Sequence, residues 1–245
     1  MRKLLLSISY DGTDFCGWQR QSKDRTVQQV IEDSLSRISK ENVQILGCSR
    51  TDAGVHALDQ KATFKTNCKI PTDKYALVLN TALPNDVLIT DCHQVDIDFH
   101  PRHEAKKKQY EYLIVNSNEI DIREKRYCWQ ITEQLNIDEM KKACQYFLGE
   151  HDFSTFCAAG SQVVNKVRNI YKAQINELNN KVTFTIEGDG FLYKMVRIIV
   201  GTLVDIGLGK IKAEEVPNII NSKSRQRAMT TAPPQGLCLK KIIYK

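Results

Sequence analysis

The order of short apolar segments constrains this chain more than any other feature. Strand, helix, strand, strand, helix, strand reads out once before residue 105 and again after it. Residues 3–9 form an apolar strand, and a polar loop follows over 10–25. Thr26 then opens a helix in capping-box spacing with Gln29, and Val27, Val30, Ile31, Leu35 and Ile38 recur at helical intervals. Residues 43–46 and 58–66 read as strands, 73–81 as a short helix ending near Pro84, and 86–95 as a returning strand. In the second half, 108–115 alternates as a strand, and Asn136 caps a helix through Leu148 that Gly149 stops. Residues 167–178 and 182–187 make a hairpin across Asn179–Asn180. Residues 191–206 form an apolar helix ended by Gly207, a shorter helix follows, and 236–244 closes as a strand. This order, twice over, predicts an α+β fold: two ferredoxin-like (split βαβ) halves, 1–105 and 106–245, joining antiparallel sheets around a central cleft.

The chain has 245 residues, room for one large domain or two small ones with a shared core. No apolar run approaches the roughly 18 residues that span a bilayer. The apolar N-terminal stretch is too short for a signal peptide, lacks a small-residue cleavage site and runs into Asp11-Gly12, so a cytoplasmic protein is expected. Eight cysteines are scattered without a CxxC pair or an accompanying His-x-x-x-His, which predicts reduced, mostly buried thiols and no metal site. Charge is uneven. Residues 1–105 carry 13 Lys and Arg against 14 Asp and Glu, whereas 106–245 carry 22 against 15, within a net charge of +6. A basic half beside a neutral one fits a polyanion as partner.

Chemistry concentrates at Arg50-Thr51-Asp52-Ala53-Gly54-Val55-His56-Ala57, between two expected strands. Taken alone it is a tight turn in which Asp52 bonds its own backbone and Gly54 supplies a positive φ. Its small residues would also let a ligand approach the main chain. The segment closely resembles the catalytic motif of the A-type tRNA pseudouridine synthases. Further matches follow in that family's order: Tyr10-Asp11-Gly12-Thr13 with Phe15-Cys16-Gly17-Trp18-Gln19-Arg20-Gln21, then Asn80-Thr81-Ala82-Leu83-Pro84 and Phe99-His100-Pro101-Arg102. Lys108-Gln109-Tyr110-Glu111-Tyr112, Gly190-Phe191-Leu192-Tyr193-Lys194-Met195-Val196-Arg197 with Val200-Gly201-Thr202-Leu203, and Ala232-Pro233-Pro234-Gln235-Gly236-Leu237 complete the series. Two positions depart from the pattern. Cys48-Ser49 stands where the family commonly has glycine before Arg-Thr-Asp, and Lys194 stands where many members have His or Asn.

The resemblance implies the pseudouridine synthase fold and an isomerase that converts uridines at positions 38, 39 and 40 of the anticodon stem-loop. It further implies tRNA as partner, a homodimer and no cofactor. Moving the base from N1 to C5 linkage at ribose C1′ has no redox step and needs a nucleophile as the glycosidic bond breaks, a task that one carboxylate can perform. The family assigns that task to Asp52, acting on a flipped-out uridine. Addition to C6, attack on C1′ and removal of a ribose proton all remain open. Arg197 corresponds to the arginine beside the nucleophile. Tyr110 corresponds to the residue that stacks on the target uracil and handles the C5 proton, and Arg50 to the one that fills the vacated space. Arg20, Arg102, Lys106, Lys107, Lys108 and Lys194 are candidate RNA contacts, as are Arg25, Lys166, Arg168, Arg225 and Arg227. The main rival is a non-catalytic RNA-binding protein on the same fold. Hydrolase and nucleotide-binding readings fail for want of a GxSxG elbow, a complete dinucleotide fingerprint or a P-loop.

Overall fold

Leucines 4, 5 and 6 and Ile8 are all fully or almost fully buried, so the first strand, β1 (Arg2–Tyr10), is covered on both faces. It opens the first of two compact units in a computed structural model that describes residues 1–228 and 230–244. The first unit comprises Met1–Lys106 and Cys238–Lys245, the second Lys107–Leu237.

In the first unit, helix α1 (Val27–Ser39) begins at Thr26, whose hydroxyl accepts the Gln29 amide proton at 3.4 Å. It buries Val27, Ile31 and Leu35, one residue per turn. Strand β2 (Leu46–Gly47), strand β3 (His56–Thr66), helix α2 (Tyr75–Asn80) and strand β4 (Val87–Val95) follow. β1 lies between β4 and β3, antiparallel to both. Because β1 occupies one edge of β3, β2 shares the other edge with a strand from the far end of the chain. The order β4-β1-β3-β2 is that of a split βαβ half. The strand expected at 43–46 shrinks to two residues. The amide of Ile45 donates instead to the Glu32 carboxylate at 3.0 Å, and that of Val43 to Ser36 Oγ at 3.1 Å.

The second unit runs through strand β5 (Lys107–Asn116), strand β6 (Trp129–Ile131), helix α3 (Ile137–Gln145), strand β7 (Gly149–Asp152), and the hairpin of β8 (Val167–Leu178) and β9 (Lys181–Gly188). Helices α4 (Met195–Gly207) and α5 (Val216–Asn221) lead to strand β10 (Leu237–Ile243). The sheet order β5-β9-β8-β7 is antiparallel throughout, with β6 parallel to β5. Asn179 turns the hairpin at φ 56°, an angle that asparagine tolerates better than most side chains. Asn136 caps α3 by accepting the Glu139 amide at 3.1 Å. That helix stops at Gln145, short of Leu148, because the next three amides tighten onto carbonyls three residues back.

Two further boundaries differ from the sequence reading. Helix α4 starts at Met195 and not at 191, because Lys194 sits at φ 58°, in the left-handed region that a helix cannot pass through. Residues 238–245 group with the first unit, and the reason is pairing: Cys238 and Leu239 lie parallel to His56 and Ala57 on β3. Among the described residues no helix is long and apolar enough to cross a membrane. Burial pushes the Cys92 and Cys144 thiols up to about 12, so both stay protonated near neutrality.

Helix α4 is buried along almost its whole length, Ile198, Ile199, Leu203 and Val204 included. The segment 230–232 lies directly on it. Ala232 donates its amide to the Arg197 carbonyl at 3.0 Å, and a Cβ added at Gly201 would stand 2.0 Å from the Thr230 carbonyl oxygen. Gly201→Ala is therefore expected to destabilise the protein by about 1–3 kcal/mol through overpacking. Thermal unfolding checks this; an unchanged Tm would mean that 230–232 moves aside freely.

Candidate active site

The loop carrying Asp52 is seated on another loop, main chain to main chain. The Thr51 carbonyl accepts the Trp18 amide proton at 3.1 Å, and the Gly54 amide donates to the Phe15 carbonyl at 3.3 Å. Such closeness leaves no room for side chains between them. A Cβ on Gly12 would stand 2.0 Å from the Val55 carbonyl oxygen, and one on Gly17 2.8 Å from that of Thr51. Gly17 also sits at φ 91° and Gly54 at φ 76°, angles open to glycine at little cost.

Side chains pin both ends of the seat. Tyr10 and Thr51 share a buried hydroxyl–hydroxyl hydrogen bond of 2.8 Å. His56 Nδ1 accepts the Gly12 amide proton at 3.0 Å. The same ring nitrogen lies 3.2 Å from an Asp11 carboxylate oxygen. Gln60 holds Ser49 at both backbone groups, accepting at 3.2 Å and donating at 2.8 Å. Trp18 is buried with its indole against Gly47. The carbonyls of Gly17 and Trp18 accept the Val27 and Gln28 amides at 3.2 and 3.0 Å, which satisfies the first turn of α1. Asp52 is half-buried on this fixed loop and Arg50 is exposed two residues before it.

The other sequence-predicted residues of the chemistry lie in the second unit. Tyr110, on β5 opposite Ile186, is 7% exposed, and its ring meets Phe191 edge-on at 5.1 Å and 83°. Two residues on, the Tyr112 hydroxyl donates to the Pro233 carbonyl at 2.7 Å. Arg197, on the first turn of α4, donates from Nε to the neighbouring Ala232 carbonyl at 2.8 Å. Burial raises the Tyr112 phenol well above its ordinary value, and the nearby Arg197 charge only partly opposes it.

The expected RNA contacts divide into two groups. Arg20 is held by Glu32 at 2.9 Å and Asp33 at 3.4 Å, Lys107 by Glu187 at 3.0 Å, and Arg25 by Asp86 in a fork of 2.8 and 2.9 Å. Arg102 and Lys106 are exposed; Arg102 lies on a turn where His100 Nδ1 accepts the backbone amides of Arg102 and His103, each at 3.3 Å. Lys108 and Lys194 are half-buried. The sequence reading assigned no part to Trp18, His56, Gln60 or Tyr112. The two glycines within the 10–21 block were the signal that this segment lies against another.

The family model described as tRNA pseudouridine synthase matches residues 6–104 and 143–245. The chain is similar to proteins named tRNA pseudouridine synthase A: 48% identical to that of Thermoanaerobacter sp. (strain X514), 47% to that of Caldicellulosiruptor saccharolyticus and 48% to that of Clostridium botulinum (strain Alaska E43 / Type E3). Each comparison runs over 244 residues and covers 100% of both chains.

Buried phenols give the protein a defined alkaline response. Burial raises both Tyr112 and Tyr244 above the ordinary tyrosine value. Their stabilising effect is complete below about pH 10, where the unfolded chain keeps its phenols protonated, and declines as pH rises further. Unfolding midpoints measured from pH 8 to 11 should fall beyond about 10, and less steeply in Tyr112→Phe. That variant should itself cost about 1–3 kcal/mol at neutral pH, because the Pro233 carbonyl loses its donor. Parallel pH profiles for the two proteins would contradict the assignment to Tyr112.

Proposed function

Because the chain belongs to the tRNA pseudouridine synthase family, we propose that it isomerises uridine to pseudouridine in tRNA with Asp52 as nucleophile on a flipped-out base. The reaction breaks ribose C1′ from N1 and joins C1′ to C5, while C5 gives up a proton and N1 ends with one. Atoms and oxidation level balance without a co-reactant. What an enzyme must supply is a placed carboxylate, a route for the C5 proton and a seat for the extruded base, whose removal from the stack costs a few kcal/mol.

The observation that carries this reading is the seat of Asp52 itself. A half-buried carboxylate lies on a loop fixed by backbone hydrogen bonds, two tight glycine contacts, and buried side-chain ties at Thr51 and His56. Such pre-organisation lowers the cost of reaching the reactive geometry. A protein that only binds RNA has little use for an acidic group held so firmly among motif residues, so the non-catalytic alternative is disfavoured.

From the family pattern we assign Arg197 as the cation that pairs with the nucleophile, Tyr110 as the ring that stacks on the uracil and relays the C5 proton, and Arg50 as the side chain that takes the vacated place. The target is the anticodon stem-loop, read by shape and backbone because A-form RNA hides its base edges in a deep groove. Arg102, Lys106, Lys108 and Lys194 are the phosphate contacts of this reading, with Arg20 and Lys107 contributing through groups not spent on their carboxylates. A homodimer working in the cytoplasm completes the proposal.

Asp52→Asn should abolish pseudouridine formation on an unmodified tRNA transcript while leaving melting and tRNA affinity close to wild type. Clear turnover by that variant, with deamidation excluded by mass spectrometry, would remove Asp52 from the chemistry. Tyr110→Phe should bind tRNA normally and turn over at least tenfold more slowly, since the ring remains and the hydroxyl is lost. If Tyr110→Phe were fully active and Tyr110→Ala were not, Tyr110 would be a stacking surface alone.

A further inference from the structure

Among the described residues four cations lie over aromatic rings, and their surroundings differ. Arg25, over Phe15 at 4.0 Å, is neutralised by Asp86, and Lys107, over Tyr171 at 4.9 Å, by Glu187. Arg2, over Tyr75 at 5.6 Å, spends its donors on Thr72 and on backbone carbonyls. Lys194 lies 5.1 Å from the centre of the Tyr193 ring, and among the described residues it has no carboxylate partner. The first three arrangements are closed within the protein; the last presents both an uncompensated charge and an aromatic face.

Tyr193 is also 44% exposed, which is unusual for a side chain so close to a buried helix. Its backbone is not loose. The Tyr193 carbonyl accepts the Ala158 amide at 3.0 Å, Met195 donates its amide to Leu192 at 3.0 Å, and the Lys194 carbonyl accepts the Ile198 amide at 3.0 Å. Lys194 holds φ 58°, a left-handed conformation that side-chain-bearing residues rarely adopt, and this bend separates Tyr193 from the buried face of α4. Two residues earlier, Phe191 packs on Tyr110, the ring assigned above to the target uracil. An exposed ring on a rigid backbone beside an unpaired ammonium has the chemistry of a single-stranded nucleotide site: the base stacks on the aromatic face and the ammonium meets its phosphate.

We propose that Tyr193 and Lys194 form a second nucleotide contact, on which an unstacked base flanking the target uridine is held. This rests on the reading of the chain as a tRNA-modifying enzyme and adds to it a residue and a ligand: Tyr193, and one nucleobase other than the target. The ring supplies the stacking surface regardless of base identity, and Lys194 supplies one phosphate contact.

The test is a binding cycle with tRNA transcripts that carry an abasic site at single positions beside the target uridine. Tyr193→Ala should weaken binding of the intact transcript roughly tenfold, and Tyr193→Phe should restore it, because the ring and not the hydroxyl acts. At one flanking position the abasic transcript should bind wild type and Tyr193→Ala equally, since the base that stacks is absent. Lys194→Gln should reduce the salt dependence of binding by about one phosphate contact. Thermal melts of all three variants confirm folding, which the exposure of Tyr193 favours. Loss of affinity in Tyr193→Phe equal to that in Tyr193→Ala, or the same Tyr193→Ala penalty on every abasic transcript, would overturn the proposal. A wild-type protein that binds the transcript but forms no pseudouridine would sink the enzymatic reading instead, and the binding cycle would still report on Tyr193.

Discussion

The approach of two main chains, 12–18 and 50–56, sets the terms for the first unit. Hydrogen-bonded backbone needs both partners at about 3 Å, and that distance is reached here only because Gly12 and Gly17 present no Cβ. Much else hangs from the contact. The carbonyls of Gly17 and Trp18 finish the N-terminus of α1, the indole of Trp18 covers Gly47 at the end of β2, and His56 carries the seat directly into β3. A carboxylate on such a loop moves only if a helix and two strands move with it. The stiffness that a reactive group requires thus comes from ordinary amide hydrogen bonds, none of them strong individually, made simultaneously.

Charge in this molecule illustrates why counting lysines and arginines is a poor guide to surface chemistry. The basic excess of the second half is real, yet Lys107 is tied to Glu187 and Lys181 to Glu124. In the first half Arg20 and Arg25 are likewise committed, and Arg25 is additionally flattened on Phe15. Exposed pairs of this kind contribute little to stability, about 0–1 kcal/mol each, but they decide which cations remain available to an outside anion.

Regular elements with strong local signals were legible from sequence. Thr26 and Asn136 cap their helices as their side-chain chemistry requires, and the Asn179–Asn180 hairpin falls where polar residues interrupt two alternating runs. The failures have different causes. Residues 43–45 look like a strand, but a buried carboxylate on α1 captures the Ile45 amide. Residues 191–194 are apolar enough for helix, but the backbone turns left-handed at Lys194, for which the residue type gives no warning. β6 and β7 are three and four residues long and have no periodicity to detect. For the site, the motif identified Asp52, Arg50 and His56 as neighbours in sequence; that the 10–21 block is their physical support required the coordinates, since nothing in either segment states which other segment it touches.

The pairing of Cys238 with His56 carries a kinetic consequence. The edge of β3 that β10 occupies is completed by residues separated from it by the entire second unit, so the first unit is discontinuous along the chain. During synthesis its N-terminal portion emerges with one edge of β3 partly uncovered, held only by the two residues of β2. The whole of 107–237 must then be made before the matching strand is available. At roughly 5–20 residues per second this leaves an open β edge for many seconds, a template for wrong partners as well as the right one. Closing a loop of that length is also slow in the refolding of a finished chain. Maturation of the Asp52 side of the protein is thereby coupled to completion of the other unit, an order of events imposed by one short parallel pairing.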